Sequence, residues 1–204
     1  MLLTASILSL MILANSSALA PKTPDPAADR SIRVLVAYHS AMGHTAALAK
    51  AVEEGAKRVP GVEVKRLPTS DVKCADLFGT DALIVGSPVY WSNMSAEVKA
   101  FLDRWTHDCN ILPPAFEMRD KIGAAFVTAG EVSSGKEVTL LTILAAMLGN
   151  RMIVVSEGEA LGAAATTAEG KAPITEKDIE QGRRLGERVA RVTLRFKRGC
   201  SEVR

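Results

Sequence analysis

The sequence predicts an α/β domain built on a doubly wound, mostly parallel sheet with helices on both faces. Three observations predict it. Short runs of branched apolar residues recur from residue 31 onward. Most of them lack the in–out alternation of a half-exposed strand, which is how strands buried on both faces read. The stretches between them have helical spacing and enough length to cross over, so successive strands can run parallel. The chain of 204 residues suits one domain with a real core. Its 48% hydrophobic and 24% charged content excludes a disordered class.

The elements follow in order. "IRVLVAY" is a buried strand, and a helix over residues 45–58 places Leu48, Val52, Gly55 and Val59 on one stripe. Pro60 and Gly61 stop that helix. "VEVKRL" alternates apolar and polar, as a half-exposed edge strand does. "DALIVG" is the third strand. A helix over 95–105 stacks Val98, Phe101, Leu102 and Trp105 at i, i+3, i+4 and i+7. "KIGAAFVTAG" is the fourth strand, residues 137–148 a helix, and "RMIVVSEG" the fifth strand. A last helix over 175–197 opens with Thr175 and Asp178, spaced as in a capping box. Crossovers in such sheets are right-handed, and ligands bind beyond the carboxyl ends of the strands.

The first twenty residues carry no charged side chain and end in Ala18-Leu19-Ala20, a small-x-small pattern open to signal peptidase. The expected organisation is a signal peptide over 1–20, a Pro-rich linker over 21–31, the folded domain over 32–197 and a tail over 198–204. An exported, periplasmic or secreted protein follows, with no stable membrane span in the mature chain. A mis-assigned start before a cytoplasmic protein and an uncleaved anchor are the competing readings. Cys74, Cys109 and Cys200 are odd in number and far apart, without metal spacing, and read as incidental thiols. The net charge of +2 gives no reason to expect nucleic acid as a partner.

Three loops lie at predicted strand ends. In "HSAMGHT" a strand turns into a helix through Ser40, Ala41, Met42, Gly43, His44 and Thr45. The helix N-terminus offers unpaired N–H groups and a partial positive charge, which suit a phosphate. Ser40 and Thr45 add hydroxyls, and Gly43 allows close approach. It is neither a Walker loop nor G-x-G-x-x-G, and an ordinary capped turn is the plain alternative. In "GSPVYWSNMS", Pro88 stiffens the exit from the strand. Tyr90 and Trp91 stand together there in a chain only 4% aromatic. A flat conjugated ligand would stack on such faces, with Asn93 for its polar edge; packing over the sheet end is the alternative. "VTAGEVSSGKE" is Gly- and Ser-rich and could flank the same ligand through Thr128 and Ser134, or simply connect. A receiver domain would need clustered Asp at the first and third strand ends, where Tyr38-His39 and Gly86-Ser87 stand.

"HSAMGHTAALAKAVEEGA", "DALIVGSPVYWSNMSAEVKAFLDR" and "TAGEVSSGKE" together resemble the three flavin loops of the flavodoxin-like superfamily. The resemblance spans residues 32–197. It is nearest to WrbA-type NAD(P)H:quinone oxidoreductases, with NADPH-dependent FMN reductases next. It implies a three-layer flavodoxin-like sheet in the order 2-1-3-4-5, with FMN as cofactor and NAD(P)H as donor. Residues Ser40 to Thr45 would hold the phosphate. Pro88, Val89, Tyr90, Trp91 and Asn93 would stand by the isoalloxazine. Thr128, Ala129, Gly130, Glu131, Ser134 and Gly135 would close the other edge. Three WrbA-type features are missing: a longer segment before the third strand, a His pair before the fifth, and an Arg in the second loop.

The resemblance implies a two-electron, ping-pong quinone or flavin oxidoreductase, with a small-molecule quinone or flavin as acceptor and a homodimer as its habit. It requires no protein acid or base, so no catalytic residue is expected, and His44 has a structural place at the phosphate end. The alternative is a flavodoxin-type electron carrier fed by another protein or a membrane quinol. Carriers dock through strongly acidic faces, and the net charge of +2 argues against that reading.

Overall fold

The computed structural model describes residues 31–157 and 161–201, without the side chains of 200 and 201. The expected signal peptide and all of the linker but Ser31 lie outside the described residues. The elements are β1 (Ile32–Tyr38), α1 (His44–Lys57), β2 (Val62–Pro68), α2 (Cys74–Gly79), β3 (Ala82–Tyr90) and β4 (Asn93–Met94). Then come α3 (Ala96–His107), β5 (Ile122–Ala129), α4 (Lys136–Gly149), β6 (Ile153–Val154), β7 (Ala163–Thr166) and α5 (Glu176–Ser201).

The parallel sheet runs β2-β1-β3-β5, with β6 and β7 both on the outer edge of β5. This is the expected 2-1-3-4-5 path, with the fifth position shared by two short strands. β6 pairs at Ile122↔Ile153, where β5 begins, and β7 at Phe126↔Ala163, where it ends. The apolar run "RMIVV" therefore supplies only the first half of that position. The second half is "AAAT", whose alanines lack the branched bulk that marks a strand in sequence. Gly162 starts the return: a Cβ there would stand 2.1 Å from the Ala125 carbonyl oxygen.

Each face of the sheet has its own core. Leu83 and Val85 of β3 join Phe101, Trp105, Leu140, Ile143 and Met147 under α3 and α4. Ala82 and Ile84, one residue out of phase, join Leu48, Val52, Leu185 and Val189 under α1 and α5. That alternation along one buried strand is the doubly wound fold at residue level. The stripes expected on the first two long helices are buried as read. α1 and α5 approach through glycine: a Cβ on Gly186 would lie 1.9 Å from the Val52 carbonyl oxygen. The capping box of α5 forms, with Asp178 accepting from the Thr175 N–H at 2.9 Å and Thr175 Oγ1 accepting from the Asp178 N–H at 3.2 Å. α5 runs four residues beyond 197, to Ser201.

One expectation is corrected. Cys74 and Cys109 are joined as a disulfide, their Cα atoms 5.3 Å apart across 35 residues of sequence. Cys74 opens α2 and Cys109 follows α3, and the crossover through β3 brings those ends together. Spacing along the chain could not show this contact. Closing a loop of this length is worth about 3–4 kcal/mol in the chain-entropy picture. The Cys200 side chain lies outside the described residues.

Candidate functional site

β1, β3, β5 and β7 all point their carboxyl ends to one edge of the sheet. From β1 the chain winds outward to β2, whereas β3 leads on to β5, so the switch point lies between β1 and β3. A cavity of about 360 Å³ opens there.

The first loop lines it with Ser40, Ala41, Met42, His44 and Thr45. Gly43 has φ +88 and serves as N-cap of α1, a left-handed conformation that glycine reaches without a Cβ penalty. Nothing lies within 4 Å of where its Cβ would be, so the space above it is open. No side chain caps α1, so first-turn N–H groups are left for a ligand. Ser40 Oγ accepts from the Gly43 N–H at 3.1 Å and tightens the turn. The buried Thr45 hydroxyl meets the Thr128 hydroxyl at 2.7 Å, tying the floor of the first loop to the end of β5.

Pro88, Val89 and Tyr90 of β3 line the same cavity. Trp91 and Ser92 do not; they form the tip of a two-residue hairpin that pairs Tyr90 with Asn93. Both have positive φ, 51 and 60, as a type I′ turn requires. Neither is the Asn or Gly that such turns favour, so the tip is strained. Trp91 is fully exposed. The Asn93 side-chain oxygen accepts from the Met94 N–H at 2.8 Å and the Thr142 hydroxyl at 3.2 Å, so it holds the hairpin on α4. Ser95 caps α3, and His39 Nδ1 lies 2.9 Å from its hydroxyl and 3.3 Å from the Glu97 carboxylate. The Glu97 carboxyl is held below its usual range by its own backbone N–H, with His39 adding to the effect. His39 thus links the first loop to the helix after the second, a contact unseen in the sequence.

From the third loop come Thr128, Ala129, Gly130, Glu131 and Ser134. Gly135 stands just behind, at φ +86, where a Cβ would meet the Ser92 side chain at 2.5 Å. It lets the second and third loops touch. The cavity therefore gathers residues from all three expected loops, while Gly43, Trp91, Asn93 and Gly135 are not part of its lining.

A fourth loop, not expected from the sequence, joins them. Thr167, Glu169 and Gly170, just after β7, also line the cavity. They are pinned there by backbone bonds: Thr167 N–H to Ala129 O at 2.9 Å and Glu169 N–H to Gly130 O at 2.7 Å. Ala168, Glu169 and Gly170 run at positive φ in succession, 44, 57 and 78. His44 Nε2 lies 3.2 Å from the Gly170 carbonyl oxygen, a contact across 126 residues. That places His44 as a brace between loops. The "TAEG" string, turn residues after an alanine run, was the available signal. Glu169 pairs with Lys171, and no Lys or Arg lines the cavity among the described residues.

A family profile described as NADPH-dependent FMN reductase matches residues 74–167. A curated relative named flavodoxin, from Clostridium saccharobutylicum, is 34% identical over 78% of this chain and 96% of its own length. An NAD(P)H dehydrogenase (quinone) from Azorhizobium caulinodans is 30% identical over 80% of this chain and 98% of its own. Among solved structures, a flavodoxin, WrbA-like protein from Agrobacterium tumefaciens superposes with a TM-score of 0.67. It is 26% identical, over 81% of this chain and 99% of that one.

Proposed function

This chain belongs to the flavodoxin-like superfamily, beside its WrbA-type NAD(P)H:quinone oxidoreductases, and from that premise we propose that it binds FMN in the cavity between its loops and works as an NAD(P)H-dependent quinone or flavin oxidoreductase. One observation carries the reading: loops from four strand ends converge on one cavity beside an uncapped helix N-terminus. The residues present fit the group. The first-turn N–H groups of α1 with the Ser40 and Thr45 hydroxyls would hold the phosphate, in a loop where Gly43 leaves room. Val89 and Tyr90 would face the ring system from one side, and Thr128, Ala129, Gly130 and Glu131 from the other. When bound, FMN supplies two-electron transfer between a nicotinamide and a quinone in ping-pong order.

The chain's own part is to position and to exclude. The hydroxyl pair of Thr45 and Thr128 and the His44 brace hold the loops at fixed separation. Buried Pro88 and half-buried Val89 keep water from their edge of the cavity. No acid or base is needed from the protein.

No helix among the described residues is long and apolar enough to cross a membrane. The exported reading gains support from the Cys74–Cys109 disulfide, since such bonds persist in oxidising compartments. The intact mass of the native protein tests it: loss of residues 1–20 with two cysteines oxidised is expected, and an unprocessed, fully reduced chain would sink it.

The test of function is an absorbance spectrum after FMN is added and excess removed by gel filtration. A retained yellow chromophore, bleached by NADH or NADPH and recoloured by benzoquinone, is the expected result. Retention without bleaching would favour the carrier reading, which the flavodoxin relative supports. No retention would overturn the flavin reading altogether.

A further inference from the structure

The outward face of α5 is a row of cations. Lys177, Arg184, Arg188, Arg191, Arg195 and Arg198 follow one another at steps of seven, four, three, four and three residues. At 3.6 residues per turn those steps keep all six within a wedge of about 80°. All six are exposed. The opposite face of the helix, with Leu185 and Val189, is buried against the sheet. From Arg184 to Arg198 the row is straight for about 21 Å.

Elsewhere the helices answer a cation with a carboxylate one turn away: Lys57 with Glu53, Lys99 with Asp103, Arg104 with Asp108. In the row, Arg188 meets Glu157 at 3.5 Å and Arg191 meets Glu187 at 2.7 Å, and Arg58 of α1 adds a further cation 3.9 Å from that same Glu187. Arg184 and Arg195 form no ion pair among the described residues. The cations therefore outnumber the carboxylates that border them.

We propose that this face docks on anionic phospholipid headgroups, with α5 lying along the surface. Five of the six cations are arginines, whose planar fork meets a phosphate through two parallel hydrogen bonds. A cluster of four to eight such cations along one helix is what an anionic leaflet attracts. None of the exposed large apolar side chains among the described residues belongs to α5, so the face has no anchor for the pocket of a protein partner. The net charge of the whole chain is only +2, which does not suit a nucleic acid. A straight convex row of charge without an apolar insert fits a flat, charged surface whose groups can shift beneath it. The attraction is then electrostatic and is screened by salt.

The row begins with Lys177 at the carboxyl edge, seven residues after Gly170 of the fourth cavity loop, and none of its six residues lines the cavity. Docking is thus independent of what the cavity holds. That it would bring the molecule to quinones dissolved in the bilayer rests on the oxidoreductase reading; the docking itself does not.

Flotation of the purified full chain with vesicles tests the proposal. With phosphatidylcholine containing about 30% phosphatidylglycerol, the protein is expected to float at low salt and to be released near 1 M NaCl, where the Debye length falls to about 3 Å. With phosphatidylcholine alone it is expected to stay behind. Each cation removed from such a surface weakens partitioning about fivefold. Arg184→Gln with Arg195→Gln is therefore expected to weaken it about 25-fold, and Arg184→Glu with Arg195→Glu at least about 100-fold. Both side chains are exposed and unpaired, so the far-UV circular dichroism should match the wild type. FMN retention is measured on the same preparations, so either reading can fail alone. No flotation with the anionic vesicles overturns the proposal, and a shift of duplex DNA in its place would give the row to nucleic acid. Equal flotation with phosphatidylcholine alone overturns it too, by giving the binding to the apolar N-terminus. A charge-reversed variant that floats like the wild type overturns it equally.

Discussion

The two edges of the sheet solve the same problem in opposite ways. Both hold non-glycine residues at positive φ: Trp91, Ser92, Ala168 and Glu169 at the carboxyl edge, Asp120 and Arg151 at the amino edge. At the amino edge the polar groups are spent on one another. Lys121 Nζ donates to the carbonyls of Leu77, Phe78 and Thr80 at 2.9, 2.8 and 2.6 Å, closing the end of α2. Asp81 accepts from the Arg33 N–H at 2.9 Å and pairs with Lys197 at 2.8 Å. The Asp120 N–H donates to the Arg151 carbonyl oxygen at 3.1 Å. At the carboxyl edge α1 and α4 both start at a glycine with no side-chain cap, beside a cavity. Strain alone therefore does not mark a site in this molecule. What sets the carboxyl edge apart is strain beside two helix starts with no side-chain cap and a cavity.

The largest effect that would sharpen this contrast is at the amino edge. Burial pushes the Lys121 ammonium down to about 8, yet three carbonyl oxygens depend on it. Lys121→Met is expected to cost about 2–4 kcal/mol in urea unfolding, because it orphans those acceptors. Ligand retention by the folded fraction should be unchanged; a loss of retention would mean that the two edges are coupled. The opposite sign is expected at the hairpin. Replacing Trp91-Ser92 by Asn-Gly gives the turn the residues its geometry favours and should raise stability by about 1–2 kcal/mol. A destabilised variant would show that the tip is held by packing rather than merely strained.

The smallest expected effect is electrostatic. Burial raises the Asp81 carboxyl, but Lys197 and the Arg33 N–H outweigh it and hold it below its usual range. A carboxyl depressed in the folded state stabilises fully above its unfolded pKa. That contribution is lost as pH falls through the unfolded value, near 3.8, and below. Asp81→Asn should therefore flatten the acid limb of the stability curve and cost about 0.5–1 kcal/mol at neutral pH, since solvent screens the partly wetted pair. An acid limb identical to the wild type would remove Asp81 from the account.

What could be read along the chain follows from how far each signal reaches. β1, β3 and β5 are legible because burial on both faces leaves a run of apolar residues within a few positions. The long helices are legible because 3.6-residue spacing repeats inside each. The first loop is legible as a phosphate-type turn because its hydroxyls and Gly43 lie within one strand-to-helix passage. So the sequence by itself determined the layers and three of the four loops at the cavity, while the strand path followed only from the family resemblance.

The tertiary structure decided the rest, and each case is a contact between distant positions. "AAAT" becomes β7 only because the outer edge of β5 is open to it beyond Val154. The fourth loop reaches the cavity only because β7 carries it there, where His44 meets Gly170. Cys74 finds Cys109 through a crossover that no spacing rule describes. Local patterning records which face of an element is buried. It carries no record of which distant element will be there to bury it, because that depends on closing long loops whose entropy cost grows only slowly with length.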